Sequence, residues 1–416
     1  GANGVILVTT KKGEEGTVYT SLRYELVQSQ PTETIDVVSP KEYMQYYNQA
    51  IMTRNPGATP KYSQERIALT GDKRFPSWAY PANDWYKTLF KNSSLNHRVG
   101  VNIRGGSRIM QYYVSLNYNK DMGMLKTDKL NQFDVNINNN TLSFRTNLTI
   151  DLKPGIKLLL NTATNWDKYH GPLASVSEAY ALAFNASPVD FAPTYPGDET
   201  YSWPHIRFGV KPGSGDIKSN PYALLQSGYL ERDRYSTSNR LEYIHNLSKL
   251  IKGLELRANV SLVKTGYYVK PYETKPFLYS LKSYDQETGK HYLNAENPDE
   301  ANRTLTLGDK SSLSQTQLSY EVRAYHTAAW GGEENNKHQT SLTLVGNAQQ
   351  VTSTEGDEVL ESLERRNMGL SMRGTYGFMD RYFVEASFGY NGSERFSKKN
   401  KMGFFPALGG AYVLSN

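Results

Sequence analysis

Histidines are the first residues to test for chemistry, and there are seven: His97, His170, His205, His245, His291, His326 and His338. None lies four residues from another and no His-Glu-x-x-His occurs, so the spacing that sets two imidazoles over one zinc ion is missing. Cysteine is absent, which removes thiolate metal sites, cysteine nucleophiles and disulfides. Neither Gly-x-Ser-x-Gly nor Gly-x-Gly-x-x-Gly is present. Carboxylates are plentiful, but no spacing pairs an acid with a base. The sequence therefore points to no catalytic residue, no metal and no cofactor. What remains is aromatic recognition. Tyr195, Tyr201, Trp203 and His205 fall among prolines and glycines in the stretch 167–235, and Tyr267, Tyr268, Tyr272, Phe277 and Tyr279 in 265–312. Aromatic faces beside polar groups suit sugar rings, whose C–H faces are apolar and whose hydroxyls seek hydrogen bonds. The same residues also suit an aromatic girdle at a membrane interface. The first cluster is the candidate ligand contact.

The elements that must carry these residues are strands. Tyrosine (31) and glycine (33) are abundant and mean hydropathy is −0.62, a profile of half-polar strands joined by wet loops. No run of ~18 apolar residues occurs, so any membrane crossing would use alternating strands. The net charge of +6 is scattered along the chain and matches no nucleic-acid module. Val18, Leu22, Tyr24 and Leu26 share one face of a first strand against Ser21, Arg23 and Glu25. The alternation returns around 98–104, 110–119, 142–150, 156–160, 241–247, 254–262, 317–323, 338–347, 366–377, 381–390 and 403–413. Arg and Glu recur on the polar faces, with Arg23, Arg104, Glu255 and Arg323 as candidate lumen-facing residues.

Alternation alone fits either a soluble sandwich or a wide wet barrel. Connection lengths separate them. Links after even strands are short (Gly105-Gly106-Ser107, Lys153-Pro154-Gly155, 249–253, Phe378-Met379-Asp380), with a longer one at 326–337 that contains Gly331-Gly332. Links after odd strands are long: 28–95, 120–140, 167–235, 265–312, 350–363 and 391–402. Short turns opposite long loops are the polarity of an outer-membrane barrel. The fold expected is all-β, an incomplete antiparallel transmembrane barrel of about 12 strands. Its long extracellular loops are expected to carry short helices. Ser39-Pro40-Lys41-Glu42 is a capping box that predicts one helix, and a second is expected from Ser63 to Leu69. The segment 133–140, ending in Asn138-Asn139-Asn140, is expected as loop.

Three stretches resemble the SusC/RagA-like TonB-dependent transporters. The opening from Gly1, Asn3 and Gly4 through Gly13 resembles the end of that family's plug domain. Asn83-Asp84-Trp85, Gly105-Gly106-Ser107 and Tyr112-Tyr113-Val114 are similar to the strand-two and strand-three hairpin, and Arg395, Phe396 and Pro406 to a mid-barrel signature, with departures at Ser397, Phe404 and Tyr412. The resemblance implies that residues 1–14 end a plug domain and that 15–416 form the N-terminal half of a barrel. The rest of the barrel and the TonB-contacting segment would lie outside this sequence. It implies import of a bulky nutrient, most often an oligosaccharide and sometimes a peptide. The implied partners are outer-membrane lipid, a SusD-like surface lipoprotein and the TonB-ExbB-ExbD complex. A siderophore or corrinoid receptor and a β-rich surface adhesin are the rival expectations.

Overall fold

The computed structural model describes residues 11–331, 337–354 and 363–414. Gly1, Asn3, Gly4, Gly332 and the middle of the 350–363 link lie outside the described residues. The chain opens with β1 (Gly16–Ser29), β2 (Ser94–Gly106), β3 (Met110–Met122), β4 (Asn138–Lys153) and β5 (Ile156–Pro172). Two short strands follow, β6 (Thr194–Tyr195) and β7 (Arg207–Gly209), then the long β8 (Gly228–Asn246) and β9 (Leu254–Lys275). After β10 (Leu278–Tyr284), β11 (His291–Ala295) and β12 (Asn302–Leu307) come β13 (Ser311–Trp330), β14 (His338–Ser353), β15 (Arg365–Phe378), β16 (Tyr382–Ser393) and β17 (Met402–Tyr412). The wall is one antiparallel meander in the order β1-β2-β3-β4-β5-β8-β9-β13-β14-β15-β16-β17, with β12 added to the outer end of β9. Among the described residues the sheet is not closed, and β1 and β17 end its path.

Register gives this wall two faces. Directly opposed residues share a face, and Met110, Ile150, Leu158, Tyr243, Ala258, Val322, Gly346, Leu370, Tyr390 and Phe404 are successive partners from β3 to β17. Three strand positions away, Arg104, Tyr113, Asn147, Asn161, Arg240, Ser261, Ser319, Gln349, Asn367 and Ser393 form a parallel row on the other face. The apolar face is bare, with Leu22 75% and Leu408 82% exposed. So wide an apolar surface is stable only against lipid, and the wall is a transmembrane β-sheet of the outer-membrane type.

Tight turns set the register on the short side. Ser107 N donates to Met110 O at 2.7 Å, and Ser107 Oγ accepts from Met110 N at 3.3 Å. Gly106 enters that turn at φ +156°, where a Cβ would collide with Met110 O.

Two expectations are corrected. Asn138-Asn139-Asn140 is not loop but the start of β4, because its asparagines pair in register with both Lys120–Met122 and Lys168–His170. Tyr267, Tyr268 and Tyr272 are not loop residues either; they lie in the outer part of β9, opposite Arg234, Asp233 and Tyr229. At 22 residues β9 is about twice the ~10 needed to cross a bilayer, so the strand continues into the outer region.

The core sits in the outer loops. Of the buried apolar side chains among the described residues, only Tyr113 belongs to the wall. The remainder form a cap that contains α1 (Pro40–Arg54), α2 (Gln64–Leu69), α3 (Trp85–Leu89), α4 (Val176–Asn185) and α5 (Pro221–Leu225). It also holds a small sheet in the order β11-β10-β7-β6. The capping box is formed: Ser39 N donates to Glu42 Oε2 at 2.9 Å and Glu42 N to Ser39 Oγ at 3.3 Å. Asp84 caps α3 through Lys87 N at 2.9 Å, which buries Trp85 and Leu89 against Leu125, Phe191 and Leu225.

Candidate functional site

The four aromatic candidates converge on the cap, in and around its small sheet. His205, 3% exposed, has Nδ1 2.8 Å from Trp203 O, and a carbonyl can only accept, so Nδ1 carries the proton. Nε2 is then the acceptor for the Tyr279 hydroxyl at 2.8 Å. Burial pulls the His205 pKa down to about 4 and pushes Tyr279 up to about 12, so both are neutral at physiological pH. The Trp203 ring stacks on His205 at a centroid separation of 3.4 Å, and Tyr201 meets Tyr279 edge-on at 5.1 Å.

Arg207 fixes this turn from below, donating from Nε to Tyr201 O at 2.9 Å, from Nη2 to Trp203 O at 2.7 Å and from Nη1 to His205 O at 3.2 Å. Asp198 accepts from Tyr201 N at 2.6 Å and, through its other oxygen, from Leu293 N at 2.8 Å. Sequence reasoning missed both residues; an isolated Arg or Asp in a long loop carries no spacing signal.

These contacts commit His205 to packing and Tyr195 is buried nearby, while Trp203 keeps an open face. Two clefts flank the cluster. His205 lines one of about 60 Å³, room for a few waters. Tyr195 lines another of about 860 Å³, whose opposite wall holds Phe75, Trp78 and Tyr80. Tyr201 and Trp203 line neither.

Two hubs join the loops into one body. Asp190 accepts from Tyr62 Oη at 2.8 Å and from Lys61 Nζ at 3.1 Å, and pairs with Lys211 at 3.2 Å. Burial opposes its charge, but these donors hold its carboxyl below the usual range. Asn220, fully buried, donates to Gly209 O at 2.8 Å and Pro193 O at 2.9 Å, while its oxygen caps α5 by accepting from Tyr222 N and Ala223 N.

Arg23, Arg104, Glu255 and Arg323 all lie on the polar face of the wall, by the register that sets Arg23 opposite Gly100, Arg104 opposite Tyr113 and both Glu255 and Arg323 against their β9 and β13 neighbours. Arg23 pairs with Glu25, Glu255 with Arg257 at 2.6 Å, and Arg323 with Glu321, which also accepts from Asn259 Nδ2 at 2.9 Å. The segment ahead of β1 crosses this face, since Asn147 Nδ2 donates to Lys11 O at 2.6 Å and Arg104 Nη1 reaches Glu14 Oε1 at 3.3 Å. Gly105 and Gly106 form the first tight turn, Pro406 lies opposite Phe388 in β17, and Arg395 and Phe396 are exposed just beyond β16. Among the described residues no group of three His, Asp or Glu side chains gathers to hold a metal.

No family model matches the chain. It is 24% identical over 432 residues to the TonB-dependent receptor SusC of Bacteroides thetaiotaomicron, covering 98% of this chain and 38% of SusC. It is 23% identical over 459 residues to the TonB-dependent receptor P26 of Formosa agariphila, covering 100% of this chain and 39% of that receptor. The chain thus spans less than half the length of the curated relatives it matches. Its fold matches the RagAB peptide transporter with a TM-score of 0.62 at 16% identity, over 96% of this chain and 45% of that one. The same importer in its closed-closed state gives 0.59 at 17%, over 98% and 46%. With a lipid-facing wall, short turns opposite long loops and matches that run nearly its whole length, the chain is similar throughout to SusC/RagA-like TonB-dependent receptors of the bacterial outer membrane.

Proposed function

We propose that the protein takes part in active import of a bulky nutrient, an oligosaccharide, across the outer membrane. The observation that carries this reading is the pairing of a two-faced wall with a cap of packed outer loops. Strands supply a rigid wall, polar residues such as Arg23, Arg104, Glu255 and Arg323 line a wet lumen, and the cap selects cargo. Residues 1–14 are the end of a plug and 15–416 the first half of the barrel; the contacts of Lys11 and Glu14 with the polar face support that division. Energy comes from the TonB-ExbB-ExbD complex acting on the plug, and a SusD-like lipoprotein covers the outer loops. The test is growth of the host on single carbon sources after deletion of the gene and after deletion of the TonB-contacting segment. Both deletions are expected to abolish growth on one glycan and spare growth on peptides and chelated iron. Loss on peptides, or on a siderophore or corrinoid alone, sinks the glycan reading, and unimpaired growth on every source with loss of surface adhesion favours an adhesin.

A further inference from the structure

We infer that the cleft of about 860 Å³ between the first outer loop and the edge of the small sheet is a binding site for a neutral saccharide rather than a charged glycan or a peptide. The inference rests on the import reading above and names where that cargo is held. The volume falls within the ~300–1,000 Å³ usual for a ligand site.

One wall is a run of rings in mutual contact. Phe75 meets Tyr80 at 5.5 Å, Tyr80 meets Tyr284 at 6.3 Å, and Tyr284 meets Trp78 at 5.2 Å. Trp78 is backed by His291 at 4.5 Å, and Tyr80 Oη accepts from Gln286 Nε2 at 2.6 Å. Phe75, Trp78 and Tyr80 are half-buried; Arg74 lies over the Phe75 ring at 5.9 Å and Arg66 over the Tyr80 ring at 5.3 Å, which leaves Trp78 as the ring to stack on. Rigid aromatic faces of this kind match the C–H face of a pyranose at little entropic cost.

The charges in the cleft cancel. Its lining carries Asp72 and Asp84 with Lys73 and Lys87, and both acids are already engaged, Asp72 by Arg74 at 2.6 Å and Asp84 by Lys87 at 2.8 Å. A uronic acid or a charged peptide would find no concentrated counter-charge here, whereas hydroxyls can bond to both kinds of group.

The opposite wall disfavours a peptide for a separate reason. β6 is the edge of its sheet, and an extended peptide would normally add to such an edge through backbone hydrogen bonds. Here the edge is two residues long and flanked by Pro193 and Pro196, which have no N–H to donate. Thr194 and Tyr195 alone cannot hold a strand.

The experiment is calorimetry on the full-length protein in detergent with neutral hexasaccharides (α-glucan, β-glucan, mannan, xylan and fructan), a galacturonate hexamer and a mixed heptapeptide pool. At least one neutral probe is expected to bind, with affinity changing less than twofold between 50 mM and 500 mM NaCl as orders of magnitude for weak and strong screening. Trp78→Ala is expected to weaken it at least tenfold, and Tyr46→Ala, on exposed α1, to leave it unchanged. Because Trp78 also packs against Tyr284, a second variant, Thr194→Trp, fills the cleft from its rim and is expected to block binding without removing any core contact. The inference is overturned if no neutral probe binds, if the galacturonate or peptide binds best, or if Thr194→Trp binds normally. Normal binding by Thr194→Trp together with TonB-dependent growth on the glycan would remove this site and leave the import reading standing.

Discussion

His205 Nε2 accepts the Tyr279 hydroxyl at 2.8 Å across the small sheet, while its Nδ1 is spent on Trp203 O of its own turn. The first bond requires the neutral ring, because a protonated Nε2 has no lone pair to accept with, whereas Nδ1–H donates in either state. A histidine held at about 4 in the fold and titrating near ~6.5 once released contributes fully above pH 6.5. That contribution is lost as pH falls from 6.5 to 4, because the opened segment binds a proton that the folded one refuses. Hydrogen-exchange protection of 201–209 and 277–281 is expected to drop across this window by up to roughly 3 kcal/mol of opening free energy. In His205→Phe the same segments should show no such dependence. Asp190, held low by its donors, acts at more acid pH and leaves this window clear.

The register assigns Val322 to the lipid face and Ser319, three residues before it, to the polar face of the same strand. Arginine at the bilayer midplane costs about 2–4 kcal/mol, whereas a polar face already crowded with Arg240 and Arg323 tolerates it. Val322→Arg is expected to lower the urea midpoint of the detergent-refolded protein markedly, and Ser319→Arg to shift it little. Equal effects of the two would mean that the faces have been assigned wrongly.

Asn220 is a single buried side chain that ties three segments: its amide nitrogen holds Gly209 O and Pro193 O, and its oxygen starts α5. Asn220→Ala leaves two carbonyls and two helix donors without these partners, at about 1–3 kcal/mol for each buried group left unsatisfied. The cap is expected to become protease-sensitive between residues 190 and 226 while the wall keeps its β-type circular dichroism. Asn220→Asp, which caps α5 but cannot donate, should fall between Ala and the native residue.

The wall was legible because its physics is periodic. Two-residue alternation and the rhythm of link lengths name all twelve wall strands, down to the faces of Arg23 and Arg323. The cap was legible only in part: the capping signals at Ser39 and Ser63 announce α1 and α2, but the other helices carry no such pattern. Asp84 and Asn220 each start a helix of five residues, too short to show a 3.6-residue period. Asn138-Asn139-Asn140 misled for a related reason: turn-prone residues become strand when partners on both sides supply the ladder. Trp78 and Tyr80 lie far from Tyr195 in sequence and meet its cleft only through the fold.

The turn between β15 and β16 offers a test in the stabilising direction. Met379 and Asp380 are the only non-glycine residues with positive φ among the described ones, at 53° and 52°, and Arg381 N closes the turn on Phe378 O at 3.1 Å. Two left-handed central residues match the right-handed twist of the flanking strands, and Asn-Gly is the pair that tolerates them best. Met379 is 46% exposed, so replacing it sacrifices little packing, whereas Asp380 also accepts from Gln339 Nε2 at 2.8 Å and is better left alone. Met379→Asn is expected to raise stability by roughly 0.5–1 kcal/mol, and Met379→Val, whose branched Cβ resists this region, to lower it by ~1–2 kcal/mol. Urea midpoints measured in the same detergent should therefore order as Asn above Met above Val. If valine matched or exceeded methionine, the turn would not have the left-handed geometry that fixes the register of β15 against β16.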